Sequence, residues 1–229
     1  MKKIILNEIE IQLERKMIKN IHLRIKPPYG EVYVSVPKHL SDKRIQEVLE
    51  LKMAWIIKNK EKFSKQAPKP EKSYLSGELF SLWGKEYPLR VIPFSGERSI
   101  TLADDEIQLR IHAGSTLEQR KSLMKEWYRK QLQEAIPAIA EKYEEKMNVH
   151  AREWRIKDMK TRWGTCNIRV KRIWLNLRLA PKHPKCLEYV IVHELCHLLE
   201  KSHNAVFKNY MDIYFPDWKL VKKELNTSN

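Results

Sequence analysis

Residues 190–203 read VIVHELCHLLEKSH. Val190, Ile191, Val192, Leu195, Cys196, Leu198 and Leu199 have the makeup of a buried helix, yet His193, Glu194, His197, Glu200 and His203 are set among them. A buried imidazole or carboxylate without a partner is costly. These polar groups need compensation, and their residue types suggest a metal ion.

His193-Glu194-Leu195-Cys196-His197 is an HExxH pattern. Residues four apart on a helix project from one face about one turn apart, so both imidazoles can reach a single ion. Neutral imidazole binds zinc at roughly 2.0–2.1 Å. Zinc lowers the pKa of a bound water to about 7. Glu194, beside the first ligand, would take that water's proton as general base and pass it to the leaving amine. Two surface histidines, or two core histidines bonded to backbone, would give the same letters, but the apolar neighbours argue against a solvated face. A catalytic zinc has three protein ligands and an open fourth position. His203 is the preferred third ligand if the helix ends near Glu200 or Lys201, with Ser202 capping the next helix and His203 in its first turn. Glu200 and Glu224 stay open as alternatives: Glu200 lies on the right face but further along the axis, and Glu224 belongs to a later helix.

The rest of the chain sets the frame. Its 229 residues are 42% hydrophobic and 32% charged, a globular composition. No apolar run approaches the roughly 18–20 residues of a membrane span. MKKIILNEIEIQLERK meets acidic residues too early for a signal peptide and reads as a first strand. Cys166, Cys186 and Cys196 have no disulfide-framework spacing, which suits a reducing compartment, and a cytoplasmic location is expected. Ile9, Ile11 and Leu13, then Ile21, Leu23 and Ile25, then Val32, Val34 and Val36 alternate as strands, with KPPYG a turn between the last two. One helix follows over about 41–63, with Ser41 as N-cap, then the connector APKPEKS. Residues 74–113 return to strands, including a hairpin turning at Asp104-Asp105. Ser115 and Glu118 suggest a capping box for a long helix with Met124, Tyr128, Leu132, Ala135 and Ile136 inward, which Pro137 should kink or end. Residues 150–160 and 173–179 read as strands. The fold class is therefore α+β: a β-rich region over 1–114 and a second region over 115–229.

HELCHLLEKSHNAVF resembles the zinc site of the YgjP-like metallopeptidases, relatives of the SprT-like proteases. RWGTCNIRVKRIWLNLRLAPKHPKCLEYVIVHELCH is similar to that family's Trp-Gly-Ser/Thr-Cys element, Leu-Asn strand and metal helix. NIHLRIKPPYGEVYVSVPKHLSDKRIQEVLELKMAWI is similar to its N-terminal region, and residues 64–115 are the loosest part. The resemblance implies a compact zincin-like catalytic region, with a long helix, short antiparallel strands, the HExxH helix and a terminal helix. It also implies zinc, held by His193, His197 and His203, and a peptide or protein substrate. HExxHxxGxxH zincins have glycine where Glu200 stands, so their turn geometry is not carried over. Zincins in general bind peptide along an edge strand, and WLNLRL, with Trp174, Asn176 and Arg178 on one face, is the candidate strand.

Gly164 suggests a tight turn and Trp163 an apolar contact, with Arg162 or Thr165 as candidates for the cleft. Cys166 and Cys196 read as small buried hydrophobes rather than further ligands. Tyr189 and Tyr210 are candidates for stabilising an oxyanion, each more simply a packed aromatic. Net charge is +15, and residues 151–185 hold eleven basic residues against Glu153 and Asp158. That surplus suits acidic peptides or substrates held on nucleic acid, although no nucleic-acid module accompanies it. The expected function is a zinc-dependent metallohydrolase, first of all a peptidase. The alternatives are a basic nucleic-acid-binding protein with a structural zinc, or a hydrolase of a non-peptide substrate.

Overall fold

The computed structural model of the chain describes residues 2–26, 29–64 and 71–227. Pro27 and Pro28 of the expected KPPYG turn, and residues 65–70 around the expected connector, lie outside the described residues. The chain divides into two compact units, Met1–Glu71 and Lys72–Asn229.

In the first unit the N-terminal segment makes two strands, β1 (Lys2–Leu6) and β2 (Ile9–Lys16). Asn7 and Glu8 join them with φ of 48° and 62°, a left-handed pair that matches the twist of a tight hairpin. With β3 (His22–Lys26) and β4 (Glu31–Pro37) they form a sheet of order β1-β2-β4-β3. Ile9, Ile11, Leu13, Val32, Val34 and Val36 alternate into a core closed by Ile45 and Leu49 of α1 (Asp42–Leu51) and Met53 and Ile56 of α2 (Met53–Ser64). Ser41 caps α1, accepting from the Arg44 N–H at 3.3 Å. The single helix expected here is interrupted at Lys52 (φ −94°, ψ 1°), whose N–H is shared between the Val48 and Leu49 carbonyls. That sharing is the tightened last turn of a helix end.

The second unit has two cores joined by one helix. Strands β5 (Leu79–Leu82), β6 (Lys85–Pro93), β7 (Ser99–Ala103) and β8 (Glu106–Ile111) form a sheet of order β5-β6-β8-β7. The Asp104-Asp105 turn closes the β7–β8 hairpin, both residues at positive φ. The inward residues of this sheet share a core with Leu123, Met124 and Trp127 of α3 (Leu117–Met147). Residue 114 therefore lies inside a unit, between a sheet and the helix that covers it, and the break in the chain comes after Glu71.

Thr116, not Ser115, caps α3, in a reciprocal box with Gln119, and Ser115 instead accepts from Arg120 Nε at 2.9 Å. Nor does Pro137 end the helix. An interior proline costs about 3 kcal/mol, which is offset by burial of Leu132, Ile136, Ala140, Tyr143 and Met147 on both sides of it.

Those residues enter the larger core with α4 (Pro184–Leu199), α5 (Ala205–Tyr214), α6 (Trp218–Thr227) and a three-stranded sheet. The sheet comprises β9 (Glu153–Lys157), β10 (Gly164–Asn167) and β11 (Arg172–Asn176), in order β10-β11-β9. β11 runs antiparallel to β10 and parallel to β9. The strand expected over 173–179 stops at Asn176, and Leu177–Leu179 form a 3₁₀ turn. Leu177 and Leu179 stay buried in that turn, which is why the sequence alternates past the strand's end.

Asn176, 2% exposed, uses its whole amide. Nδ2 donates to the Met159 and Arg162 carbonyls (2.8 and 2.6 Å), and Oδ1 accepts from the N–H groups of Met159 and Arg178 (3.3 and 3.1 Å). The segment leading into β10 is thereby stapled to β11. The β5–β6 turn meets the lead-in to α4: the Trp83 and Gly84 N–H groups donate to the Ala180 and Pro181 carbonyls at 2.9 and 3.3 Å. A Cβ on Gly84 would stand 3.1 Å from His183 Cα.

A chain of residues 72–229 is expected to unfold in one cooperative urea transition followed by circular dichroism. A chain cut at 115 would leave Leu123, Met124 and Trp127 uncovered and give no such transition.

Candidate metal centre

α4 opens with His183 as N-cap, its Nδ1 accepting from the Lys185 N–H at 3.3 Å, and Pro184 in the first turn. Cys186, Leu187, Tyr189, Val190, Ile191, Val192, Leu195 and Cys196 are all buried, so the helix is enclosed on most of its surface. His193 and His197 are half-buried on the remaining face. The helix stops at Leu199 because Glu200 is extended (φ −142°, ψ 118°). Asn204, rather than Ser202, caps α5, accepting from the Phe207 N–H at 3.0 Å. His203 thus stands just before the cap, outside the helix, and turns back over α4.

The three imidazoles converge. One ring nitrogen from each of His193, His197 and His203 lies within 4.8 Å of the others. His203 Nε2 is 3.0 Å from His193 Nε2, close to the roughly 3.3 Å between nitrogens bound about 2.0–2.1 Å from one ion at a tetrahedral angle. His197 Nδ1 lies 3.2 Å from the Glu200 carbonyl, which fixes the ring and leaves Nε2 for the centre. Phe207, 2% exposed, underlies all three rings at 4.7–5.0 Å between centroids. Cys196 Sγ meets Met211 Sδ at 3.5 Å, holding α5 against α4.

Hydrogen bonding alone compensates this cluster poorly. His193 Nδ1 is buried with no partner among the described residues, and its other nitrogen faces a second imidazole. Burial, then the neighbouring His197, His203 and Lys222, push the His193 pKa down to about 3. Burial likewise lowers His197. Neutral rings with converging nitrogens fit a borderline-soft divalent ion such as zinc.

Glu194 is 4% exposed and lies beside the trio without joining it. Burial raises its pKa to about 8, and the Arg162 guanidinium pulls the other way. Gly164 explains its position. A Cβ on that residue would come within 2.6 Å of Glu194 Oε1 and 2.8 Å of its Cγ. Gly164 is the first residue of β10, with no positive φ, so it serves close approach rather than the tight turn expected from sequence.

A cleft of about 1250 Å³ opens over these groups. Residues 162–169 form one wall, the exposed face of α4 and the 201–203 loop the floor, and Lys222, Leu225 and Asn226 of α6 the other wall. Arg162, Thr165 and Tyr189 line it, whereas Tyr210 packs against the core and stacks on Tyr214. Cys166 lines it half-buried, its thiol pushed up to about 12 by burial and then by Glu194. Cys196 is fully buried. Glu200 uses its carboxylate on the Ser202 N–H at 2.9 Å, and neither it nor Glu224 joins the histidine trio. β11 is the inner strand, so WLNLRL presents no open edge. Trp174 lies under Arg155 and Lys157, Asn176 is consumed by its staple, and Arg178 pairs with Asp158. β10 and β9 are the edge strands, and of the two it is β10 whose four residues all line the cleft. Phe207 and the Gly164 approach were missed from sequence. For Phe207 the only signal was an aromatic one turn beyond His203.

A family model described as YgjP-like, metallopeptidase domain, matches residues 19–228. The crystal structure of the metallopeptidase zymogen of Pyrococcus abyssi abylysin is 18% identical, with a TM-score of 0.38, over 41% of this chain and 93% of that one. The corresponding zymogen of Methanocaldococcus jannaschii jannalysin is 24% identical, with a TM-score of 0.37, over 41% of this chain and 95% of that one. No curated protein matches the chain.

Elemental analysis of purified protein is expected to find about one zinc per chain, lost in His203→Ala, with chelation lowering the melting temperature by mass action. Gly164→Ala should keep the metal yet cut hydrolysis at least about tenfold, because the new methyl group displaces the Glu194 carboxylate. Full activity in that variant would dismiss the close approach as incidental.

Proposed function

The chain belongs to the YgjP-like metallopeptidase family, and from that premise we propose that it is a zinc-dependent peptidase in which His193, His197 and His203 hold the metal and Glu194 is the general base. The observation that carries this reading is the convergence of three imidazole nitrogens at the floor of a cleft, beside a buried carboxylate. Bound there, zinc would supply Lewis acidity and a water acidic enough to ionise near neutral pH.

The chain's own residues supply the rest. Glu194 accepts the proton of the attacking water on a carboxylate oxygen and returns it to the leaving amine nitrogen. Burial holds that carboxyl's pKa at about 8 even with Arg162 drawing it down, and a divalent ion held by the histidines would favour its ionised form. The Gly164 backbone fixes where the carboxylate stands. The open edge of β10 offers main-chain donors and acceptors to a substrate held extended, so peptide binding by strand addition belongs to Gly164–Asn167 rather than to residues 173–179. Phe207 and Leu198 exclude water beneath and beside the metal ligands.

A purely structural zinc is the weaker reading, because such sites are closed by four protein ligands and the described residues bring together three, facing a cleft. Three free thiols, Cys166, Cys186 and Cys196, suit the reducing cytoplasm. No described helix is long and apolar enough to cross a membrane.

Glu194→Gln is nearly isosteric and should retain zinc while losing about a hundredfold to ten-thousandfold in kcat against an unfolded protein substrate. Undiminished turnover with full metal occupancy would remove Glu194 from the chemistry.

A further inference from the structure

The cleft is one-sided in charge. Arg162, Arg169, Lys201 and Lys222 line it, all exposed, and Glu194 is the only carboxylate among its lining residues. Among the described residues none of the four stands in an ion pair, and the one carboxylate that any of them influences is Glu194, whose pKa Arg162 draws down. Elsewhere in the basic 151–185 segment the pattern differs: Glu153 pairs with Arg155 and Arg172, and Asp158 with Lys125 and Arg178. The two acidic residues of the segment are thus taken up away from the cleft, and the cations around the metal trio have only the buried Glu194 beside them.

The cations also come from separate elements. Arg162 precedes β10 and Arg169 follows it, so a strand laid along that four-residue edge, about 13 Å long, would have a guanidinium beyond each end. Lys201 comes from the loop between α4 and α5, and Lys222 from α6 on the opposite wall. Unpaired charges of one sign around a concave, low-dielectric floor focus potential into the cleft.

We propose that this cleft selects peptide segments with aspartate or glutamate side chains flanking the scissile bond, the basic residues forming subsites on both sides of it. The inference rests on the peptidase reading. It favours an acidic polypeptide over nucleic acid because the four cations converge on a cleft with the histidines at its floor, whereas duplex binding needs a basic stripe across an accessible face.

The test uses the zinc-loaded full-length protein and a proteome-derived peptide mixture, with cleavage sites read by mass spectrometry. Acidic residues should be enriched near the cleaved bonds. Matched fluorogenic peptides with Glu, Gln or Lys at those positions should rank in that order, Glu exceeding Gln by about three- to thirtyfold in kcat/KM, as for two exposed ion pairs. The ratio should collapse in 0.5 M NaCl, where screening reaches across only about 4 Å, and reverse in the double variant Arg169→Glu, Lys222→Glu. Cleavage with no acidic enrichment, or a ratio indifferent to salt and to the double variant, would overturn the inference while the peptidase reading stands. Cleavage that appears only when duplex DNA is added, without acidic enrichment, would assign the cations to nucleic acid and overturn it as well. No cleavage of any peptide by zinc-replete protein, with or without DNA, would remove the peptidase reading and this inference together.

Discussion

The carboxyl of Glu194 sits on an enclosed helix and occupies the space that a side chain at residue 164 would fill, and several parts of the second unit converge on that close approach. A buried carboxylate is costly, and room for it beside the cleft exists because Gly164 carries no side chain. The strand's position is itself imposed. β10 pairs with β11, and the Asn176 amide holds the segment from Met159 to Arg162 through both of its donors. Arg162 therefore reaches Glu194 through backbone fixed by an amide some fourteen residues further along the chain.

α4 is secured at both ends and along its flank. Its lead-in receives two backbone hydrogen bonds from the β5–β6 turn. Glu188, on its flank, accepts from Tyr143 and Lys142 of α3 at 2.9 and 3.0 Å. At its C-terminus the Glu200 carbonyl orients His197. α3 links the two cores, since its first turns cover the β5–β8 sheet and its later turns cover α4. The sheet over residues 79–111 is therefore a buttress for α4.

The parts of this arrangement that depend on periodicity were readable in the sequence. The alternating strands of the first unit, the Asp104-Asp105 hairpin and the end of α4 near Glu200 all follow from spacing and turn chemistry. What escaped was decided by tertiary contact. Leu177 and Leu179 look like strand residues because a 3₁₀ turn can bury both. Pro137 looks like a stop because the packing on either side of it cannot be seen from composition. Asn204 and Thr116 displaced Ser202 and Ser115 as caps, since adjacent residues of similar capping power are separated only by the path of the chain. The three histidines were apparent as candidates from the HExxH spacing. Gly164 was visible as a glycine, but its purpose depends on a carboxylate thirty residues away.

Dependence on Asn176 has a consequence for the life of the molecule. The histidine pair lies on one helix and could form early and locally, but the wall that aims Glu194 exists only once β9, β10 and β11 have paired and the amide has closed over the 159–162 segment. A chain in which that sheet has not yet paired would present the histidines of the HExxH pattern without a fixed place for Glu194. On the reading proposed above, hydrolysis is then a property of the completed β9–β11 sheet and not of the HExxH helix alone.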